Sequence, residues 1–149
     1  MAVPTGSGTE TLHTAMFEDV DAAQTLILGV QHHIYTVVSI VVHCNALNAV
    51  ADFFYLKMVG YDSHGGTSAR TMTLLKENIS AGETFVWNDR FAFNGSEPSD
   101  FASGGLTVAA DQTALSAMGS STVQYLQADV TNAGDDFDVF VTYVDQDWS

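Results

Sequence analysis

The sequence predicts an all-β chain, an antiparallel β-sandwich of jelly-roll type with about eight strands, and three observations carry that expectation. Short segments rich in Val, Ile, Thr and aromatic residues recur along the chain, as in HIYTVVSIVVHC and DVFVTYV. Polar, glycine-bearing turns such as SAGE and TNAGDD separate them. One stretch alone, 111–119, carries the marks of a helix.

Residues 1–10, MAVPTGSGTE, lack periodicity and read as an arm, which leaves 11–149 as a single sandwich domain. TLHTAMFEDV is a first strand. TLILGV (25–30) and HHIYTVVSIVVHC (32–44) are β-branched and apolar. Alternation in the longer one puts Ile34, Val38, Ile40, Val42 and Cys44 on one face, opposite Tyr35, Ser39 and His43. NALN (45–48) reads as a turn, ADFFYLKMV (51–59) as the returning strand and GYDSHGGTSAR (60–70) as a loop. TMTLLKENI (71–79) and TFVWNDRFAF (84–93) are strands, the second bulged near Asn88 and Asp89, and a long loop follows. DQTALSAMG (111–119) is a short helix, with Asp111 as N-cap, Leu115 and Met118 one turn apart and Gly119 as the stop. VQYLQADV (123–130) and FDVFVTYV (137–144) close the chain, and TNAGDD predicts a hairpin between them.

That last strand is apolar on both sides. Phe137, Val139, Val141 and Tyr143 share one face, and Phe140 and Val144 interrupt the other. A half-buried strand has one wet face, so the second requires a cover. Phe53 and Tyr55, opposite Phe54 and Leu56, pose the same demand. Surplus apolar strand surface marks a subunit interface, so Phe53, Tyr55, Phe140, Val144 and Trp148 are the candidate oligomer contacts.

Composition narrows the partners. A chain of 149 residues, 46% hydrophobic and 11% aromatic, buries roughly 70% of its unfolded surface and is not disordered. Net charge is −14, and the four basic residues, Lys57, Arg70, Lys76 and Arg90, all lie mid-chain. Such a surface repels phosphate, which excludes nucleic acid and anionic membrane as partners. The basic residues are the candidate docking contacts, and the acids Asp135, Asp136, Asp145 and Asp147 are expected on outward, solvated ends. Lone Cys44 excludes an internal disulfide. The start lacks a basic region followed by an apolar run, and no run approaches ~18 apolar residues. The expectation is a soluble chain made in a cytoplasm, with neither signal peptide nor membrane span.

Catalytic and metal motifs are weak. His32 and His33 are adjacent, so on a strand they point apart, and His43 lacks a partnering acid, unlike the spaced ligands of a metal-binding barrel. Asp135, Asp136, Asp138, Asp145 and Asp147 lack the glycine-turned loop of a calcium site and read as solvated. No general acid in an apolar setting stands out for glycoside hydrolysis, Glu83 beside a turn being a weak candidate. No G-x-S-x-G occurs, and Cys44 sits in an apolar strand as a small hydrophobe. The sequons at Asn78 and Asn94 read as coincidence, and GGTS and SGG are not phosphate loops. No catalytic residue, cofactor or metal ligand is expected.

Taken together, GSGTE, HIYTVVSIVVHCN, ISAGETFVWNDRFAF and DVFVTYVDQDWS resemble a family of small β-sandwich virion proteins of tailed bacteriophages. The match runs from Gly6 to Ser149, with a longer segment at about 101–121 than the family pattern has. The resemblance implies a non-enzymatic structural protein, a capsid decoration or cement protein that binds the head as an oligomer and stabilises it. The implied partners are other copies, as a homotrimer, and the major capsid protein or another virion protein, and the implied location is the virion. Neck, tail or fibre-base placement is the alternative. A carbohydrate- or receptor-binding module would instead use Trp87 with Asn88 and Asp89, or Tyr61 with Asp62. A cupin- or glycosidase-type enzyme ranks last for want of ligands.

Overall fold

The structure is a computed structural model, and it describes residues 9–61, 69–98 and 121–147. The helix expected over 111–119, the first eight residues, Asp62 and Trp148 lie outside the described residues. The described chain is all-β, in two packed antiparallel sheets, as the sequence predicts. It forms eleven strands rather than about eight: β1 (Thr9–Val20), β2 (Gln24–Leu28), β3 (His33–Ala46), β4 (Phe54–Tyr61), β5 (Ala69–Glu77), β6 (Thr84–Trp87), β7 (Phe91–Asn94), β8 (Ser96–Pro98), β9 (Ser121–Val123), β10 (Tyr125–Val130) and β11 (Asp136–Asp147). Two of the three extra strands come from interruptions, and the third, β8, falls where the sequence reads as a loop. The bulge expected at Asn88 and Asp89 divides one strand into β6 and β7, both paired with β3, and Gln124 separates β9 from β10. Among the described residues no helix is long and apolar enough to cross a membrane.

Sheet I has the order β1-β11-β3-β6, with β7 also on β3; sheet II has β2-β10-β4-β5; β8 and β9 form a small ribbon. The pairs nest: β1 with β11, β2 with β10, β3 with β6 and β7, β4 with β5. Contacts of β11 with β3 and β10 with β4 join the nested pairs into two sheets. The arm is shorter than 1–10, because Thr9 and Glu10 already pair with Asp147 and Gln146.

Two connections read from sequence as hairpins are crossings. β3 and β4 lie in different sheets, as do β10 and β11. A knot of polar groups turns the chain over at that end of the sandwich. Asp135, 0% exposed, accepts the Asn48 and Asn132 backbone N–H groups at 2.8 and 3.0 Å. Buried Asp52 accepts the Ala49 N–H and the Asn132 side-chain amide, both at 2.9 Å. Asn78 Nδ2 donates to the Val50 and Asp52 carbonyls. Asp135 is therefore not the solvated acid its sequence neighbours suggest. A buried carboxylate is tolerated where several donors meet it, and here backbone N–H groups supply them.

The core lies between the sheets. Val37, Ile40, Val42, Phe137, Val139 and Val141 of sheet I meet Leu26, Phe54, Leu56, Leu126 and Ala128 of sheet II. The Phe54 and Phe137 rings meet tilted, 5.3 Å apart. The face assignment is corrected for the first half of β3: Tyr35 and Val37 are buried with Ile40, whereas Ile34 turns outward and Val38 is only half-buried. The register between β3 and β11 shifts at Ser39 and Val37, and one extra residue swaps the face of everything before it. At the opposite end from the polar knot, the chain leaving β2 at Gly29 and Val30 crosses closely past Gly95, the link between β7 and β8. A Cβ on Gly95 would stand 2.0 Å from the Val30 carbonyl oxygen, so only glycine fits.

Candidate functional site

The outer face of sheet I is the most distinctive surface of the described molecule. Alternation along β1 sends His13, Ala15 and Phe17 toward the core and Glu10, Leu12, Thr14, Met16 and Glu18 outward. Cross-strand register then builds rows. Met16 pairs with Phe140, Phe140 with Val41, and Val41 with Val86. A second row runs Leu12, Val144, Thr36, Ala92, and between them lie Thr14, Thr142 and Ser39. None of these side chains is charged. Leu12 is 68% exposed, Met16 60%, Val86 50% and Phe140 36%. An uncharged band thus crosses four strands of a chain carrying −14.

Acids frame the band. Glu10 stands at one end, with Glu18, Asp136 and Asp138 at the other. The carboxylates of Asp19, Asp136 and Asp138 lie within 4.8 Å of one another. Two donors ease their crowding: the Asp19 N–H to Asp138 at 3.1 Å and the Asn45 amide to Asp136 at 3.3 Å. His43, cross-strand from Asp138, has its Nδ1 2.8 Å from the Thr84 hydroxyl.

The outer face of sheet II is built differently. Phe53 and Tyr55 form a tilted pair, with ring centroids 6.3 Å apart. The Lys76 ammonium stands 4.3 Å over the Phe53 ring, and Lys57 stands 5.0 Å from the Tyr55 ring while pairing with Asp129 at 2.8 Å. The aromatic contacts and the cations read separately from sequence are therefore one self-covered patch.

The end of β11 is also held down. Its pairing with β1 and β3 continues to Asp147, and His33 reaches Asp145 at 2.6 Å and Asp147 at 3.8 Å. Behind this clamp, Tyr35 stacks on Phe93 and His33. Burial, then the nearby Asp145 carboxylate, pushes the Tyr35 hydroxyl up to about 12, and the same two causes raise Tyr143. Asp145 and Asp147 are half-buried partners of a histidine rather than free ends.

The predicted contact residues fall into two groups. Phe140 and Val144 lie on the band of sheet I, whereas Phe53 and Tyr55 lie on the far side of the sandwich. Lys57, Arg70 and Lys76 lie on β4 and β5, but Arg90 is in the turn between β6 and β7 of sheet I, so the four cations do not form one surface. Sequence reading missed Leu12, Met16, Val41 and Val86. The signal was the second apolar period in LHTAM, which is legible only once β11 is known to pair with β1. Trp87 packs against the core and donates its indole N–H to the Asp89 carbonyl at 2.7 Å, so it is not an exposed sugar-stacking ring. Cys44 is buried, which pushes its thiol pKa up. Both sequon asparagines are engaged, Asn78 in the polar knot and Asn94 with the Gln124 side chain. Glu83 is exposed, in the turn before β6. Compared with family models, curated proteins and solved structures, the chain finds no match.

Proposed function

We propose that this chain is a non-enzymatic structural protein of a tailed-phage particle, a decoration protein that sits on the head as a homotrimer and stabilises it. The observation that carries the reading is the uncharged, uncovered band on the outer face of sheet I. Exposed apolar surface spanning several strands is a site of protein contact, since single scattered apolar residues need no partner but a continuous row does. The nested pairing of β1 with β11, β2 with β10, β3 with β6 and β7, and β4 with β5 supports it further. Such nesting arises when one long antiparallel ribbon rolls over on itself, which is the winding of a jelly roll. The net charge of −14 suits a surface that avoids nucleic acid inside a particle.

Heads separated from tails and analysed by mass spectrometry test the proposal. The chain should be found on the heads in a fixed ratio to the shell protein, and heads lacking it should break at lower temperature. Finding the chain only with tails, or absent from particles, would overturn the assignment.

A further inference from the structure

We infer that the outer face of sheet I docks on a different protein, one presenting an apolar patch framed by Lys and Arg side chains, and not on a second copy of this chain. The inference rests on the decoration reading only for where that partner is, the shell; its chemistry is read from the face itself. The face has the anatomy of a recognition surface, with an uncharged centre and a charged rim. At the strand ends the rim is of one sign, Glu10 at one and Glu18, Asp136 and Asp138 at the other, while Arg90 stands at the side, in the turn between β6 and β7. Two copies meeting face to face, in either strand direction, would set acids on acids, and like charges across an interface are penalised. The remaining self-contact would set this face on the Lys57 and Lys76 patch of another copy. The two faces lie on opposite sides of the sandwich, so that contact repeats as an open stack and does not close. The lysines of that patch are also already committed, one over Phe53 and one to Asp129. A basic-framed partner satisfies both the centre and the rim, and sheets accept such packing flat, about 10 Å apart. Copies within a trimer then meet along their sides, and the band remains for the shell.

The test needs no knowledge of the partner. A version of this chain carrying Glu10→Lys, Glu18→Lys and Asp136→Lys presents the same apolar centre inside a basic rim. Mixed with the wild-type chain at low salt, it should form a mixed complex by sedimentation velocity, while wild-type chains alone do not join through this face. Raising salt from about 10 mM to about 1 M shortens the Debye length from roughly 30 to roughly 3 Å and should weaken the complex at least about tenfold. Met16→Lys in the wild-type partner should weaken it by at least about tenfold as well. If the triple variant does not fold, Glu10→Lys with Glu18→Lys alters only exposed side chains and serves in its place. Absence of a complex between folded chains, or a complex indifferent to salt, overturns the inference. Wild-type self-association that Met16→Lys abolishes assigns the face to a second copy instead. Heads that lack the chain would overturn the decoration reading and leave the mixing result standing.

Discussion

The two outer faces of this sandwich cover the same core from opposite sides, and both carry large apolar residues, yet they treat water differently. On sheet II the rings of Phe53 and Tyr55 lie under Lys76 and Lys57, and Asp129 holds Lys57 in place. On sheet I, Leu12, Met16 and Val86 stand bare. The chain has only four basic residues, and two of them cap the aromatic pair on sheet II. A face closed by its own charged side chains is finished as a surface. A face left bare, with acids at both its strand ends, is finished by something else.

The sharpest separation of inside from outside lies along β11. Phe137→Ala opens a cavity beside Phe54 and should cost about 3–5 kcal/mol in chemical denaturation. Phe140→Ala, three residues on and facing outward, should stay within ~0.5 kcal/mol while reducing attachment to the particle. Similar stability losses from both would mean that the band is core and the comparison of faces is misdrawn. On sheet II, Lys76→Met should cost about 0.5–1 kcal/mol, the usual size of an exposed cation–π contact. Together with Lys57→Met it should make the free chain bind apolar dyes and self-associate. Unchanged dye binding would show that the lysines do not shield the rings.

The strands and the inner core pattern were legible, because Phe54 against Tyr55, or Val139 against Phe140, is written in a period of two. What the sequence hid was non-local. Nothing in NALN or TNAGDD tells a hairpin from a crossing between sheets, since the difference is made by Asp52, Asp135 and Asn132 meeting across the end of the fold. Asp135 reads as a solvated acid because its donors come from Asn48 and Asn132, and Asn48 is far away along the chain. The face of Tyr35 was misread because a bulge leaves no mark in a run of β-branched residues. The capping of Phe53 by Lys76 pairs residues on different strands, so aromatic and cation appeared as two surfaces.

Smaller effects follow from titration at the two ends. The Asn132 side-chain hydrogen bond, more than any other cause, holds the Asp52 carboxyl below its ordinary 3.8. A carboxyl lowered in the fold stabilises above its unfolded value and loses that contribution as pH falls through the folded one. Thermal melting should therefore drop below about pH 4, and Asn132→Ala should flatten that acid limb; an unaltered limb would remove Asp52 from the account. At the other end, Tyr35 is raised from 10.0 to about 12, so its neutral form stabilises below 10 and the contribution is lost as pH rises through 12. Absorbance titration should show a late phenolate phase that Tyr35→Phe removes.

Methionine oxidation tests the contrast of faces most directly. Met16 lies in the band of sheet I and Met72 on the edge strand of sheet II, and they are 60% and 59% exposed. In the free chain a limited peroxide pulse, read by peptide mass spectrometry, should oxidise the two at similar rates. On isolated phage heads Met16 should be protected several-fold while Met72 keeps its free rate. Protection of Met72 with Met16 still open would contradict the account, because the contact would then lie at the edge of sheet II and not on the band of sheet I.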